Sequence, residues 1–248
     1  DKQVTWREYD ERAARLASVL LEAGLGDDSK VGLYLHNSNE YLEAQYSVFK
    51  IEGVPINVNY RYKEEELVYL LDNSDSEAVF YQACYKEQIE AIKDKLPKVK
   101  LYIQVDDGIN DVPGFATDYE LAISSSEPMD RIKRSGENIY MLYTGGTTGM
   151  PKGVMYQHEG HVVGMFNTAG AWGLIPIQER IEKEDLESVN DKVKRLAVEG
   201  NLTVSIPACP LMHGTGMWLG ALIPHLVGGR VVTMPQLGFD PDFLCKEV

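Results

Sequence analysis

The amino-acid sequence predicts an α/β fold with layered, parallel-rich sheets and covering helices. Three observations carry that expectation. Short apolar strand candidates alternate with helical patterns from the N-terminus to residue 105. The strand candidates are continuous apolar runs, such as Val31-Gly32-Leu33-Tyr34-Leu35, which suits strands buried on both faces. Capping residues or glycines mark the transitions.

In chain order, Thr5-x-x-Glu8 is a capping box. Tyr9, Ala13, Leu16, Ala17, Leu20 and Leu21 then recur at helical spacing until Gly24 offers a stop. After the first strand, a second helix opens near Ser38 and Asn39, runs through Tyr41, Leu42, Tyr46 and Phe49 to Gly53, and passes into a strand at 54–58. Residues 64–72 read as helix, 78–81 as strand, 88–94 as helix and 101–105 as strand. Glu64, Glu65 and Glu66 fit a solvated first helical turn, where negative charge is favourable. Residues 106–137, rich in Asp, Ser, Pro and Gly, read as a connection carrying one short helix at 118–123, and they divide the pattern into lobes at 1–105 and 138–248. Residues 176–200 are charge-dense, with Ile181, Leu186, Val189, Val193 and Leu196 at helical spacing, as in an exposed amphipathic helix. Asp240-Pro241 is a good helix start only a few residues before Val248, so the sequence reads as a piece of a longer protein.

Composition narrows the function classes. With 24 Lys+Arg against 38 Asp+Glu the chain carries a formal charge of −14, which disfavours neutralising a nucleic-acid backbone. At 44% hydrophobic and 25% charged residues it is an ordinary globular composition. Cys84, Cys209 and Cys245 are odd in number and widely spaced, which suggests neither a disulfide framework nor a zinc site and fits a reducing compartment. No run of about 20 apolar residues appears, and the expected location is cytoplasmic, with no integral membrane segment.

The most informative stretch is the apolar strand Ile139-Tyr140-Met141-Leu142-Tyr143 followed by Thr144-Gly145-Gly146-Thr147-Thr148-Gly149-Met150-Pro151-Lys152-Gly153. Glycines let a backbone approach a ligand closely, hydroxyls and free N–H groups donate to phosphate oxygens, and lysine supplies a point charge. The combination suits a polyphosphate. It departs from the common nucleotide-triphosphatase loop, because Lys152 follows proline and precedes glycine, and the next strand, at 154–156, points to a hairpin-like turn. A Gly/Thr-rich connection between two strands is the plain structural alternative.

The order of residues 143–153 resembles the signature loop of the AMP-forming acyl-CoA synthetase, adenylation-domain and luciferase superfamily. Pro210-Leu211-Met212-His213-Gly214-Thr215-Gly216 is similar to a second superfamily segment, preceded here by an apolar strand at 204–206. Weaker similarity covers residues 49–57 and Phe239-Asp240-Pro241, while 176–200 looks like an insertion carried by some members. The resemblance is strongest to bacterial fatty-acid or lipid-acid CoA ligases. It implies an incomplete N-terminal adenylation domain over 1–248, without the small C-terminal domain, belonging to an acid-thiol ligase that uses ATP, Mg²⁺ and CoA to turn a carboxylic acid into a thioester through an acyl-adenylate.

By that resemblance Thr144, Gly145, Gly146, Thr147, Thr148, Gly149 and Lys152 hold the β- and γ-phosphates. His213 is the catalytic candidate where the acyl carboxylate meets the α-phosphate, and Gly214, Gly216, Met217 and Trp218 join it at the acyl pocket. Gly145 departs from the serine often found there, which removes one hydroxyl donor. The Mg²⁺ ligand, the ribose-binding Asp and the adenylation Lys of the superfamily have no counterparts in these 248 residues, so the chain alone is expected to turn over little or nothing. The implied partners are a small carboxylic acid, ATP and CoA, with no nucleic acid and with a homodimer left open. A non-catalytic phosphate-binding module derived from the same fold is the competing reading. Met212 and Leu219, with Met217 and Trp218, fit either an acyl tunnel or plain core. His158 and His161, with Glu159 between them, could face a metal from one helix, but their spacing is shorter than the His-Glu-x-x-His of a zincin, and a surface helix start explains them as well.

Overall fold

The computed structural model describes residues 2–146, 149–177, 179–234 and 240–247. The chain divides into two compact units, Asp1–Met155 and Tyr156–Val248.

In the first unit α1 (Trp6–Glu22) begins at the expected capping box: Thr5 Oγ1 accepts from Glu8 N–H at 3.2 Å, while the Glu8 carboxylate accepts from Thr5 N–H at 2.7 Å. Gly24, at φ +78°, ends the turn beyond it. Strand β1 (Lys30–Tyr34) leads to α2 (Asn39–Lys50), capped by Ser38, and then to β2 (Val54–Asn57). Beyond α2, Glu52 takes the left-handed conformation, at φ +62°, just before Gly53. Then come α3 (Glu64–Asn73), β3 (Ser76–Gln82), α4 (Lys86–Ile92), β4 (Leu101–Val105), β5 (Thr117–Asp118) and α5 (Tyr119–Ser125), and finally β6 (Ile139–Gly146) and β7 (Gly149–Gln157).

The strands form a seven-stranded sheet in the order β5-β4-β3-β1-β2-β6-β7. The pairs β1/β2, β1/β3, β2/β6, β3/β4 and β4/β5 are parallel. β6 and β7 are neighbours with two residues between them, a separation that only an antiparallel pair permits. Apolar strand residues explain the arrangement: Val54, Ile56, Val58, Val79, Tyr81 and Tyr143 pack with Leu67, Leu70 and Leu71 of α3 and Ile89 and Ile92 of α4 in one core.

Residues 106–137 belong to the first unit. Tyr119 hydroxyl donates to the buried Glu43 carboxylate at 2.7 Å, Arg12 donates to both Glu43 oxygens at 3.0 Å, and Arg12 also grips Glu120. Met129 N–H donates to the Ala14 carbonyl, and Arg131 pairs with Asp10. The contacts from Tyr119, Glu120, Met129 and Arg131, each made across more than 70 residues, fasten the polar stretch to α1 and α2. Burial pushes the Glu43 carboxyl above its ordinary range against the opposing pull of Tyr119 and Arg12.

The second unit contains α6 (His158–Ala171), α7 (Leu186–Glu199), β8 (Val204–Ser205), a π-helical segment (Thr215–Leu222), α8 (Ile223–Leu226), β9 (Arg230–Val231) and α9 (Pro241–Glu247). β8 and β9 form a separate parallel pair. Residues 176–200 are integral to this unit: Ile181 and Val189 are buried with Met165, Phe166, Ala169, Ile223 and Val227, and Leu186, Val193 and Leu196 pack against them. The polar face of α7 remains exposed, as its apolar periodicity predicts.

Candidate functional site

The phosphate-loop candidate spans the end of β6 and the start of β7. Thr144, Gly145 and Gly146 close β6, and Gly149, Pro151 and Lys152 lie in β7; Thr147 and Thr148 lie outside the described residues. Thr144, Gly145 and Lys152 are exposed, while Tyr143 and Pro151 on either side are buried. Tyr143 and Pro151 thus anchor the segment, and Thr144, Gly145 and Lys152 next to them are exposed. Among the described residues Lys152 makes no ion pair, which leaves its ammonium available to an anion.

The base is held by side chains that the sequence did not single out for this role. The Asn57 amide, at the end of β2, accepts from Tyr143 N–H at 2.7 Å and donates to Tyr143 C=O at 3.0 Å. Tyr143 hydroxyl donates to Asn73 Oδ1 at 2.8 Å, and Tyr69 hydroxyl donates to the Pro151 carbonyl at 3.2 Å. Gly153 is closely approached: a Cβ there would lie 2.7 Å from Met141 Sδ and 3.0 Å from the Tyr143 ring, so a side chain would have to shift to admit it. The only sequence signal was one polar residue, Asn57, closing an otherwise apolar strand.

The His213 segment belongs to the second unit. His213 is exposed and sits on a turn in which its N–H donates to the Pro210 carbonyl at 3.0 Å and its carbonyl accepts from Met217 N–H at 2.9 Å. Gly214 leads into the π-helical segment that carries Gly216, Met217 and Trp218. π-Helical turns are rare and frequently found at functional sites. A Cβ on Gly216 would lie 2.2 Å from the Pro210 carbonyl oxygen and 2.7 Å from that of Cys209, so only glycine lets this turn fold onto the 209–210 backbone. Met212 and Met217 are buried, and Leu219 is exposed.

Trp218 joins Tyr156 and His161 in an aromatic cluster with ring-centroid separations of 4.8 to 5.3 Å. Burial, reinforced by the neighbouring His158, pushes the His161 pKa down to about 4, so its ring is neutral at physiological pH. His158, Glu159 and His161 open α6, as a helix start requires. Among the described residues no group of three or more His, Cys, Asp or Glu is placed to hold a metal ion. No helix among them is long and apolar enough to cross a membrane.

The model of the AMP-binding enzyme family matches residues 1–248. The chain belongs to the AMP-binding enzyme family. It is 38% identical over 244 residues to the 3-oxocholest-4-en-26-oate–CoA ligase of Rhodococcus rhodochrous, covering 95% of this chain and 41% of that protein. It is 33% identical to the medium-chain acyl-CoA ligase Mig of Mycobacterium avium, covering 96% of this chain and 44% of the relative. The fold is that of the crystal structure of ATP-bound MatB from Rhodopseudomonas palustris, with a TM-score of 0.76 at 22% identity over 99% of this chain and 42% of that one. The chain thus spans less than half the length of each of these proteins.

Proposed function

We propose that the intact protein activates a fatty or lipid-like carboxylic acid with ATP and transfers it to CoA. The observation that carries this reading is the order of residues 143–153, set on a braced base with Lys152 exposed, in a chain of the AMP-binding family. In the first step a carboxylate oxygen attacks the α-phosphorus of ATP; the bond to the β-phosphate oxygen breaks, giving acyl-adenylate and pyrophosphate. In the second, the CoA sulfur attacks the acyl carbonyl and AMP leaves.

Backbone N–H groups and threonine hydroxyls at Thr144, Gly145, Gly146, Thr147, Thr148 and Gly149 receive the β- and γ-phosphates, and Lys152 neutralises charge developing on departing pyrophosphate. Where other members have a serine at Gly145, this chain relies on its backbone. By its resemblance to the superfamily segment, His213 is assigned to the carboxylate and α-phosphate, and Gly214, Gly216, Met217 and Trp218 to the acyl group. The exposed Lys152 and Thr144 fit an anion such as the ATP phosphates. The lipid-like substrate class is supported by the acids named for the relatives, a cholestenoate and medium-chain acyl groups.

The test is AMP formation by the intact protein from ATP and CoA, across acids of increasing chain length and sterol-type acids. AMP formed only when acid is present supports the reading. ATP binding without turnover on any acid supports the non-catalytic phosphate-binding module instead.

A further inference from the structure

We propose that Asn57, Tyr69 and Asn73 are positioning residues that set the frame of the 144–152 loop; this rests on the reading above that the loop holds ATP phosphates. On its β2 side, backbone pairing does not reach the loop's entry. β2 and β6 share a single ladder pair, Ile56 with Met141, so the ladder stops two residues before Tyr143. The Asn57 side chain continues it. A primary amide carries a donor and an acceptor in one plane, and here it meets both the C=O and the N–H of Tyr143, the residue that immediately precedes Thr144. Asn57 is only 8% exposed, so water is a poor replacement for those two bonds.

The exit is fixed from one face of α3. Tyr69 and Asn73 are four residues apart and therefore neighbours on the helix surface. Tyr69 reaches the Pro151 carbonyl on β7, and Asn73 takes the hydroxyl of Tyr143 on β6. With Gly153 pressed against Met141 and Tyr143, both ends of the loop are tied to β2 and α3 within one residue of Thr144 and of Lys152. With Tyr143 and Pro151 fixed, the adjoining Thr144 and Lys152 meet phosphate with less reorganisation, which is where electrostatic catalysis gains most.

The experiment measures kcat, KM for ATP, KM for the acid and thermal midpoint of the intact protein for wild type, Tyr69→Phe, Asn57→Ala and Lys152→Ala. Tyr69→Phe keeps the ring and removes one bond, and is expected to raise KM for ATP about threefold to tenfold with KM for the acid unchanged. Asn57→Ala removes two buried bonds and is expected to raise KM for ATP about tenfold to a hundredfold. If Asn57→Ala fails to fold, Tyr69→Phe alone decides. Parallel changes in both KM values, or none in either, overturn the positioning role. Lys152→Ala separates the two layers: if it impairs use of ATP while Tyr69→Phe and Asn57→Ala do not, positioning alone is wrong. If Lys152→Ala leaves use of ATP intact, the phosphate-loop reading and this proposal fall together.

Discussion

Gly216→Ala is the substitution whose consequence the structure specifies most closely. The new Cβ would stand 2.2 Å from the Pro210 carbonyl oxygen, where ordinary contact begins at 3.4 Å, so about 1.2 Å of separation must be found. All three offending atoms, the Pro210 carbonyl oxygen and carbon and the Cys209 carbonyl oxygen, are backbone, and no side-chain rotation relieves them. The π-helical segment has to move away from the 209–210 turn. Overpacking in a close-fitted interior costs about 1–3 kcal/mol, occasionally more, and with backbone on the receiving side we expect about 2–4 kcal/mol. Equilibrium denaturant unfolding reports the loss, with Trp218 as a local probe because it lies two residues away, packed on Tyr156 and His161. The displacement also reaches His213, three residues before Gly216, so kcat/KM in the intact protein is expected to fall about a hundredfold. Gly164→Ala is the internal control: it lies within α6, a Cβ there meets nothing within 4 Å, and helix propensity should make it stabilising by about 0.5–1 kcal/mol. A Gly216→Ala protein within about 0.5 kcal/mol of wild type, or a Gly164→Ala protein equally damaged, would refute the close-approach argument.

Tyr119→Phe removes a 2.7 Å bond to the buried Glu43 carboxylate with little change in shape and is expected to cost about 1.5–3 kcal/mol in denaturant unfolding. Asp118→Ala removes the cap in which Asp118 Oδ1 accepts from Leu121 N–H at 2.7 Å and should cost about 1 kcal/mol by the same assay. His161 and His225 have pKa values lowered to about 4, chiefly by burial, whereas an unfolded histidine titrates near 6.5. Their neutral rings therefore contribute stability that is fully present above about pH 6.5 and is lost as pH falls toward 4, where the unfolded chain takes up protons first. Denaturant midpoints measured from pH 7 to 4 should decline across that window, and less steeply in His225→Leu; an unchanged slope in that variant would contradict the assignment.

Features written in local sequence were legible. Continuous apolar runs announced β1, β2 and β4, Thr5 and Ser38 marked their helix starts, and the residue order at 143–153 identified the phosphate-loop candidate without any structure. Features that arise from distant pairing were not. The amide of Asn57 meets Tyr143 across 86 residues, and no local pattern shows that a polar residue ending one strand will brace another. Residues 106–137 looked like a connection between lobes because their composition is polar. Their place in the first unit is decided by Tyr119 reaching Glu43 and Arg131 reaching Asp10. β5 escaped because a two-residue strand has no periodicity to detect. The π-helical form of 215–222 escaped because an apolar stretch with glycines at 216 and 220 looks the same whether its turns are α or π.

The most direct test of the central claim is acid-dependent exchange of labelled pyrophosphate into ATP by the intact protein, wild type against Lys152→Ala. The account predicts exchange that requires a fatty or lipid-like acid and falls at least about a hundredfold in the variant. Exchange absent with every such acid, or unaffected by Lys152→Ala, would contradict it.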